Sequence, residues 1–257
     1  MSFIIFIAVL VAGLIIGSFL NSVIYRMSDL VTIFSHRSHC PHCKREILWY
    51  DLVPLFSFVV LEGKCRFCKR PISLQYPIVE FATSLLFILL YLGFGITFYS
   101  IMLAIISTFL VIIFVYDLYF KIIPNIIVIP AIVVWAAAWI LMLVPGANLS
   151  IPNDFHNLIY GGLISGLFIG AIVFFTRGKG MGVGDIKLAF LLGFILGWAN
   201  ALVFLFFAFL LGAIVGVALI LTHVKKLKSQ IPFGPFLIAG FYLALFFGEK
   251  IISWYIK

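Results

Sequence analysis

Apolar runs broken by glycine, proline and charge divide the chain into eight candidate helices, at about 2–25, 77–94, 97–116, 125–144, 157–176, 185–198, 200–222 and 235–255. Most reach the ~20 residues that a helix needs to cross a hydrocarbon layer, the sixth being the shortest. No basic n-region precedes the first run, Ser2 to Tyr25, and the run is longer than an ordinary signal-peptide core, so it is expected to remain as a membrane helix. Between the first and second runs lies Arg26 to Tyr76, the one stretch polar enough to stand in water and too short to build a large core. The pattern therefore predicts an all-α polytopic membrane protein of about eight transmembrane helices, with a small domain between the first and second. The expected divisions are 1–25, 26–76 and 77–257.

Composition agrees with lipid as the main solvent: 65% of the 257 residues are hydrophobic, 10% are charged and 29 are Phe. Soluble domains carry roughly 25% charged residues. Mean hydropathy is +1.27. The net charge of +8 acquires meaning from its placement. If eight helices alternate sides, all of the 17 Lys and Arg except Lys250 and Lys257 fall in one set of loops, from Arg26, Arg37, Lys44 and Arg45 through Lys121 and Lys179 to Lys225, Lys226 and Lys228. The positive-inside rule puts that set in the cytoplasm and both termini outside. Topology and attraction to anionic lipid headgroups account for the charge, and no aromatic-interleaved basic groove points to nucleic acid. The Trp and Tyr residues near helix ends are expected to form interfacial belts. Gly161, Gly162, Gly166 and Gly170 read as a helix-packing face.

Two kinds of chemistry stand out. Cys40-x-x-Cys43 and Cys65-x-x-Cys68, 21 residues apart, have the spacing of tetrahedral thiolate ligation, which predicts a structural zinc site and a reducing compartment. His36, His39 and His42 are nearby alternative ligands, with free thiols or transient disulfides as the other reading. Acids at the edge of an apolar span are costly and mark functional candidates. Asp117 ends the third run and Asp185 opens the sixth within Gly180-Met181-Gly182-Val183-Gly184-Asp185, and the charge-derived topology puts both on the cytoplasmic side at similar depth. Two carboxyls in a low-dielectric site do not both ionise easily, so one keeps its proton while the other acts as base toward water, the chemistry of aspartic proteases. Gly182 and Gly184 are candidates for positioning a substrate strand, through backbone freedom and close approach. Against this stand interfacial charges paired with Lys121 and Lys187, and an ion-coupled transporter using the same acids. The transporter reading is weakened by their position at the membrane edge and by the lack of a repeat between halves.

The chain resembles the type IV prepilin peptidases, a family of GxGD membrane aspartyl proteases. The resemblance is carried by Gly17 to Arg26, Cys40-Pro41-His42-Cys43, Gly63 to Cys68, Ile72-Ser73, Tyr76 to Glu80, Tyr116-Asp117, Ile123-Pro124-Asn125, Gly180 to Lys187 and Pro232 to Phe236. Presenilin-like proteases share Tyr-Asp and Gly-x-Gly-Asp, but their Pro-Ala-Leu signature is absent. The resemblance implies a bacterial cytoplasmic-membrane enzyme that cuts the basic leader of prepilins and pseudopilins after a glycine, with Asp117 and Asp185 as the catalytic pair. It also implies S-adenosylmethionine-dependent N-methylation of the new terminus, associated with the four-cysteine domain. Glu80, Asn21 and Arg26 are the candidate residues for that second activity, Glu80 as proton acceptor or amine-orienting group, with pairing to Lys69 or Arg70 as its structural alternative.

Overall fold

A computed structural model describes residues 3–27, 38–142, 154–178, 180–222 and 231–255. His36, Arg37, Lys179, Lys225, Lys226, Lys228 and Lys257, named above in the charge and ligand arguments, lie outside the described residues. Within them the helices are α1 Phe3–Arg26, α2 Phe56–Val60, α3 Gln75–Phe94, α4 Phe98–Phe120, α5 Asn125–Met142, α6 Phe155–Phe175, α7 Val183–Leu196, α8 Trp198–Leu221 and α9 Gly234–Tyr255, with a 3-10 turn at Trp49–Leu52.

Each of the eight apolar runs is helical over most of its described residues, and among the described residues six helices are long and apolar enough to cross a membrane. The described part of α5 is shorter, and α7, at 14 residues, is about 21 Å long against a hydrocarbon core of about 30 Å. The expected count of eight spanning helices is thus not confirmed. Glycine bounds α7 at both ends. Gly182 is extended (φ −90°, ψ 163°), and Gly197 has φ +80°, a left-handed value that stops the helix and starts α8. A Cβ on Gly197 would also lie 2.8 Å from Asn157 Oδ1, the atom that accepts the Trp198 N–H at 2.9 Å.

The chain divides into two compact units, Met1–Ile112 and Ile113–Lys257. In the first, α1 packs closely on α3 along a helical row of small or hydrogen-bonding residues. A Cβ on Gly17 would lie 2.7 Å from Glu80 Cα, Ser84 Oγ donates to Leu10 O at 3.0 Å, and Asn21 Nδ2 donates to Tyr76 O at 3.0 Å. Lipid tails are as apolar as leucine, so such backbone proximity and interhelical hydrogen bonds, rather than hydrophobic burial, hold helices together in a membrane.

In the second unit α6 packs on α7 and α8 on α9. Gly161 faces the carbonyl of Gly193, and a Cβ on Gly240 would lie 2.7 Å from Phe204 O. Gly161 and Gly162 thus serve as the close-packing face expected of them, whereas a Cβ on Gly170 would meet only Ile186 Cδ1, at 4.0 Å.

Candidate functional site

Asp117 and Asp185 come together at one end of the second unit, where their carboxyl groups interact electrostatically; they are 4% and 7% exposed. Three helix ends build the arrangement. Helix α4 stops just past Asp117: the Lys121 N–H donates to Asp117 O at 2.8 Å, Lys121 has left-handed φ +55°, and Pro124 precedes α5. Asp185 is the third residue of α7, and its Oδ2 accepts the Gly182 N–H at 2.8 Å, so the carboxylate caps the helix and sits at the positive end of its dipole. The first residue of α9, Gly234, donates its N–H to Asp117 Oδ2 at 3.0 Å.

Ile123 is the packing residue that joins these ends. A Cβ on Gly184 would lie 2.8 Å from Ile123 Cβ, and one on Gly234 would lie 3.4 Å from Ile123 Cδ1 and 2.6 Å from Asp117 Oδ2. The glycines before Asp185 also have a packing role within the fold. Neither Gly182 nor Gly184 has a positive φ. Gly184 is needed for close approach to Ile123, while a Cβ on Gly182 meets nothing closer than 3.7 Å. Of the two lysines set against the catalytic reading, Lys187 donates to Asn125 Oδ1 at 2.8 Å, and among the described residues neither it nor Lys121 forms an ion pair with either aspartate. Gly234 lies in the late Pro-Phe-Gly-Pro motif, and Ile123 in the Ile-Pro-Asn segment; the motifs were visible, but their contacts with Asp117 and Gly184 were not.

The contact at Gly234 leads to a prediction. Gly234→Ala forces either the helix end or the Asp117 carboxyl to move, and a misplacement of about 1 Å can cost about a hundredfold in rate. Substrate turnover kcat is expected to fall by about ten- to a hundredfold, with KM little changed. Turnover within twofold of wild type in a variant of normal thermal stability would show that the Gly234–Asp117 contact does not position the carboxyl.

In the first unit, Cys40, Cys43, Cys65 and Cys68 place their sulfurs within 4.8 Å of one another, with Cys40 Sγ 3.9 Å from Cys68 Sγ. That separation is far too long for a disulfide and matches the ~3.8 Å edge of a tetrahedron with metal–sulfur bonds of about 2.3 Å. The two cysteine pairs sit on copies of one turn. Cys40 N–H donates to Arg45 O and Lys44 N–H to Cys40 O, both at 2.9 Å; Cys65 N–H donates to Arg70 O at 2.9 Å and Lys69 N–H to Cys65 O at 3.0 Å. Lys44 and Lys69 take left-handed φ values of 60° and 58°, and the bridges His39–Glu46 and Lys64–Pro71 close the turns at the same offset.

The backbone N–H of Cys68 is the main influence holding the Cys65 thiol down at about 7, so one sulfur is readily ionised at neutral pH. For Cys68 the Arg70 N–H lowers the pKa, but desolvation and the neighbouring sulfurs outweigh it and leave the thiol at about 11. His42 Nδ1 lies 3.2 Å from Arg70 Nη1, and the His39 ring packs edge-on to Tyr25, so neither histidine joins the sulfur cluster.

Beside the cluster is a cavity of about 510 Å³, whose walls include Tyr25, Arg26, Phe67, Arg70, Tyr76 and Glu80. Glu80 is 6% exposed, and its Oε2 accepts the Leu55 N–H at 2.9 Å. Leu55 itself has φ +59°, a strained value for leucine. Of the three residues singled out for methyl transfer, Glu80 and Arg26 line this cavity. Asn21 does not; it is 2% exposed and stitches α1 to the start of α3.

A buried pair of aspartates at converging helix ends, in a multi-pass membrane protein that also carries a four-thiol cluster, defines the class: an intramembrane enzyme candidate with carboxyl chemistry. Residues 11–94 match the Bacterial Peptidase A24 N-terminal domain, and residues 104–217 match the Type IV leader peptidase family. The chain is 36% identical over 246 residues to the prepilin leader peptidase/N-methyltransferase of Bacillus subtilis (strain 168), covering 95% of each. It is 30% identical over 268 residues to the protein of that name from Aeromonas hydrophila, covering 95% of this chain and 91% of the relative. The Legionella pneumophila protein of that name is also 30% identical, over 270 residues, covering 95% and 92%. The chain belongs to the type IV leader peptidase family. No solved structure matches it.

Proposed function

We propose that this protein removes the basic leader of type IV prepilins and pseudopilins by aspartyl proteolysis and then N-methylates the exposed amino terminus. The observation that carries the reading is the meeting of two buried aspartates at one end of the second unit. A water between Asp117 and Asp185 loses a proton to the ionised carboxylate as its oxygen attacks the carbonyl carbon of the scissile bond. The protonated partner gives its proton to the carbonyl oxygen. Collapse of the tetrahedral intermediate breaks the C–N bond, with protonation of the leaving nitrogen, and yields a leader carboxylate and a new amine.

The N–H of Gly234 and the N–H of Gly182 hold one oxygen of each carboxyl, leaving the other oxygens for water and substrate. An apolar groove lined by Gly166, Gly170, Ile186, Lys187 and Phe190 begins one residue past Asp185 and suits the apolar helix that follows the leader. The site needs no water path across the bilayer, because the leader stays on the side where the carboxyls lie. We place that side in the cytoplasm, with both termini outside, in the bacterial cytoplasmic membrane and in contact with anionic headgroups. The loop charge supports this. So does the convergence of the end of α4 with the starts of α5, α7 and α9, which makes α5–α6 and α7–α8 out-and-back pairs.

The four sulfurs fit a structural zinc ion in spacing and number. The cavity fits S-adenosylmethionine in size and in its mix of aromatic and cationic walls, with Tyr25, Phe67 and Tyr76 available to an adenine and Arg26 and Arg70 to a carboxylate. Bound there, the cofactor supplies an electrophilic methyl group. Glu80 accepts the proton that an incoming ammonium must lose to become a nucleophile. We therefore assign methyl transfer to the first helix and the 26–76 segment together with the start of α3, and peptide cleavage to the second unit. The ion-coupled transporter alternative draws no support from the family match.

Mass spectrometry of a prepilin incubated with the lipid-embedded protein and S-adenosylmethionine tests the reading. Loss of the leader plus one methyl group is the expected product; an intact prepilin, with the enzyme folded, contradicts it. Glu80→Gln keeps an acceptor for the Leu55 N–H but removes the base. It is expected to slow methyl addition by about a hundred- to a thousandfold and to leave cleavage unchanged. Methyl addition at the wild-type rate would remove Glu80 from the chemistry.

A further inference from the structure

The segment between α1 and α3 was expected to stand in water as a whole, yet its middle does not look like a water-facing surface. Trp49 is 79% exposed, Phe56 66%, Val59 73% and Val60 58%. Helix α2 has one polar residue, Ser57, which lines the cavity. Phe58 and Leu61 turn inward, lining the cavity, and a Cβ on Gly63 would touch Phe58 at 3.0 Å. Phe56, Val59 and Val60, at i, i+3 and i+4, form the opposite face and are exposed. The outward face is wholly apolar, and a contiguous exposed apolar patch marks an interaction surface.

The hydrogen bond from Leu55 N–H to Glu80 sets the depth of this patch. Glu80 lies five residues inside α3, about 8 Å along its axis from Gln75, and its Cα packs on Gly17, nine residues or about 13 Å from the Arg26 end of α1. The residue that opens α2 is therefore fastened alongside two membrane-crossing helices, well inside their ends. On the same unit the exposed apolar row of α3, Ile78 and Phe81, runs up to Leu74 at 64% exposure, so apolar surface is continuous to the helix boundary. Beyond α2 the chain turns charged at Glu62, Lys64 and Arg66, and Trp49 and Tyr50 precede it, an arrangement that suits the aromatic-rich interfacial layer.

We infer that Trp49–Val60 is a membrane-dipping element: the 3-10 turn and α2 seat in the interfacial layer of the bilayer beside α1 and α3, with lipid as the occupant of the exposed face. The zinc-type turns, which carry most of the charge of the segment, remain on the aqueous side, and Asp51, the one charge inside the element, is paired with Arg66 at 2.6 Å. The Glu80 cavity then opens at the lipid–water boundary rather than in bulk water. This stands whether or not the cavity serves methyl transfer.

Tryptophan emission tests it in vesicles of phosphatidylcholine and phosphatidylglycerol whose acyl chains carry bromine at shallow or deep positions. The difference between wild type and Trp49→Phe isolates Trp49, and the substitution keeps an aromatic ring beside Tyr50 at a position that is 79% exposed. The difference emission is expected to be quenched at least twofold by shallow bromines and little by aqueous iodide. Quenching by iodide with no effect of bromine overturns the inference. A photoreactive benzoylphenylalanine at Val59 provides a second reading that does not depend on Trp49. Its crosslinks are expected to go to phospholipid; crosslinking to another protein chain instead, with no lipid adduct, also overturns the inference.

Discussion

Asp185→Asn and Asp117→Asn are each expected to lower the rate of leader removal by at least about a thousandfold, the scale on which loss of a positioned acid or base acts when the same group must also polarise the attacking water. The substitution is nearly silent structurally. An asparagine Oδ1 still accepts the Gly182 N–H at position 185 or the Gly234 N–H at position 117, so the ends of α7 and α9 keep their bonds. What is lost is the ability to exchange a proton with water and with the scissile amide. Quantifying residual leader cleavage in each lipid-embedded variant, beside its thermal melting curve, checks this. A stable variant that retains a tenth of wild-type cleavage would remove that residue from the mechanism.

The second large effect concerns the cysteine turns. The 38–73 segment contains only short helical pieces and isolated bridges, and its buried cysteine is Cys40. Cohesion must come from elsewhere. The ion pair from Arg66 to Asp51, at 2.6 Å, and the guanidinium of Arg45 over the Phe67 ring at 5.1 Å help, but an ion pair whose arginine faces solvent and a single cation–π contact contribute about 1 kcal/mol each. Structural zinc in small domains stabilises by about 10 kcal/mol or more. With zinc proposed at these sulfurs, the double variant Cys40→Ser/Cys65→Ser, which removes one sulfur from each turn, is therefore expected to lose bound zinc, to open residues 38–73 to limited proteolysis and to abolish methyl addition. Zinc content by atomic emission, protease mapping and methyl incorporation read the three effects. Normal protease resistance in a metal-free variant would mean that the segment holds itself together without the ion.

The sequence carried a great deal of this account, and its failures have physical causes. Helix positions came from apolar run length alone, because in lipid almost nothing but a helix satisfies its own backbone. The number of crossings was less legible. The short span of α7 is set by glycines at 182 and 197, and run length cannot show whether 14 residues in a bundle reach both faces.

The aspartates and cysteines announced themselves because charge inside an apolar run and paired thiols have few other uses. Their partners did not. Gly234 lies 117 residues from Asp117 in sequence, and Leu55 lies 25 from Glu80, and no local pattern predicts either hydrogen bond. The glycines before Asp185 were legible as special, but the packing of Ile123 against Gly184 was not, and neither Gly182 nor Gly184 has a left-handed backbone.

Two signals were present and went unread. One is the 25-residue offset that repeats the turn around Cys40 at Cys65. The other is the run Ile47 to Leu61, in which Asp51 is the only charge, inside a segment judged polar as a whole.

The central claim is that Asp117 and Asp185 act as one site, and the most direct test is the leader-cleavage rate of the Asp117→Asn/Asp185→Asn double variant set beside the two single variants. Residues that share one catalytic step are not additive, so the account predicts that the double variant cleaves at about the same residual rate as either single one. Losses that multiply, with the double variant slower than each single by the other's full factor, would mean that the carboxyls act independently and would contradict it.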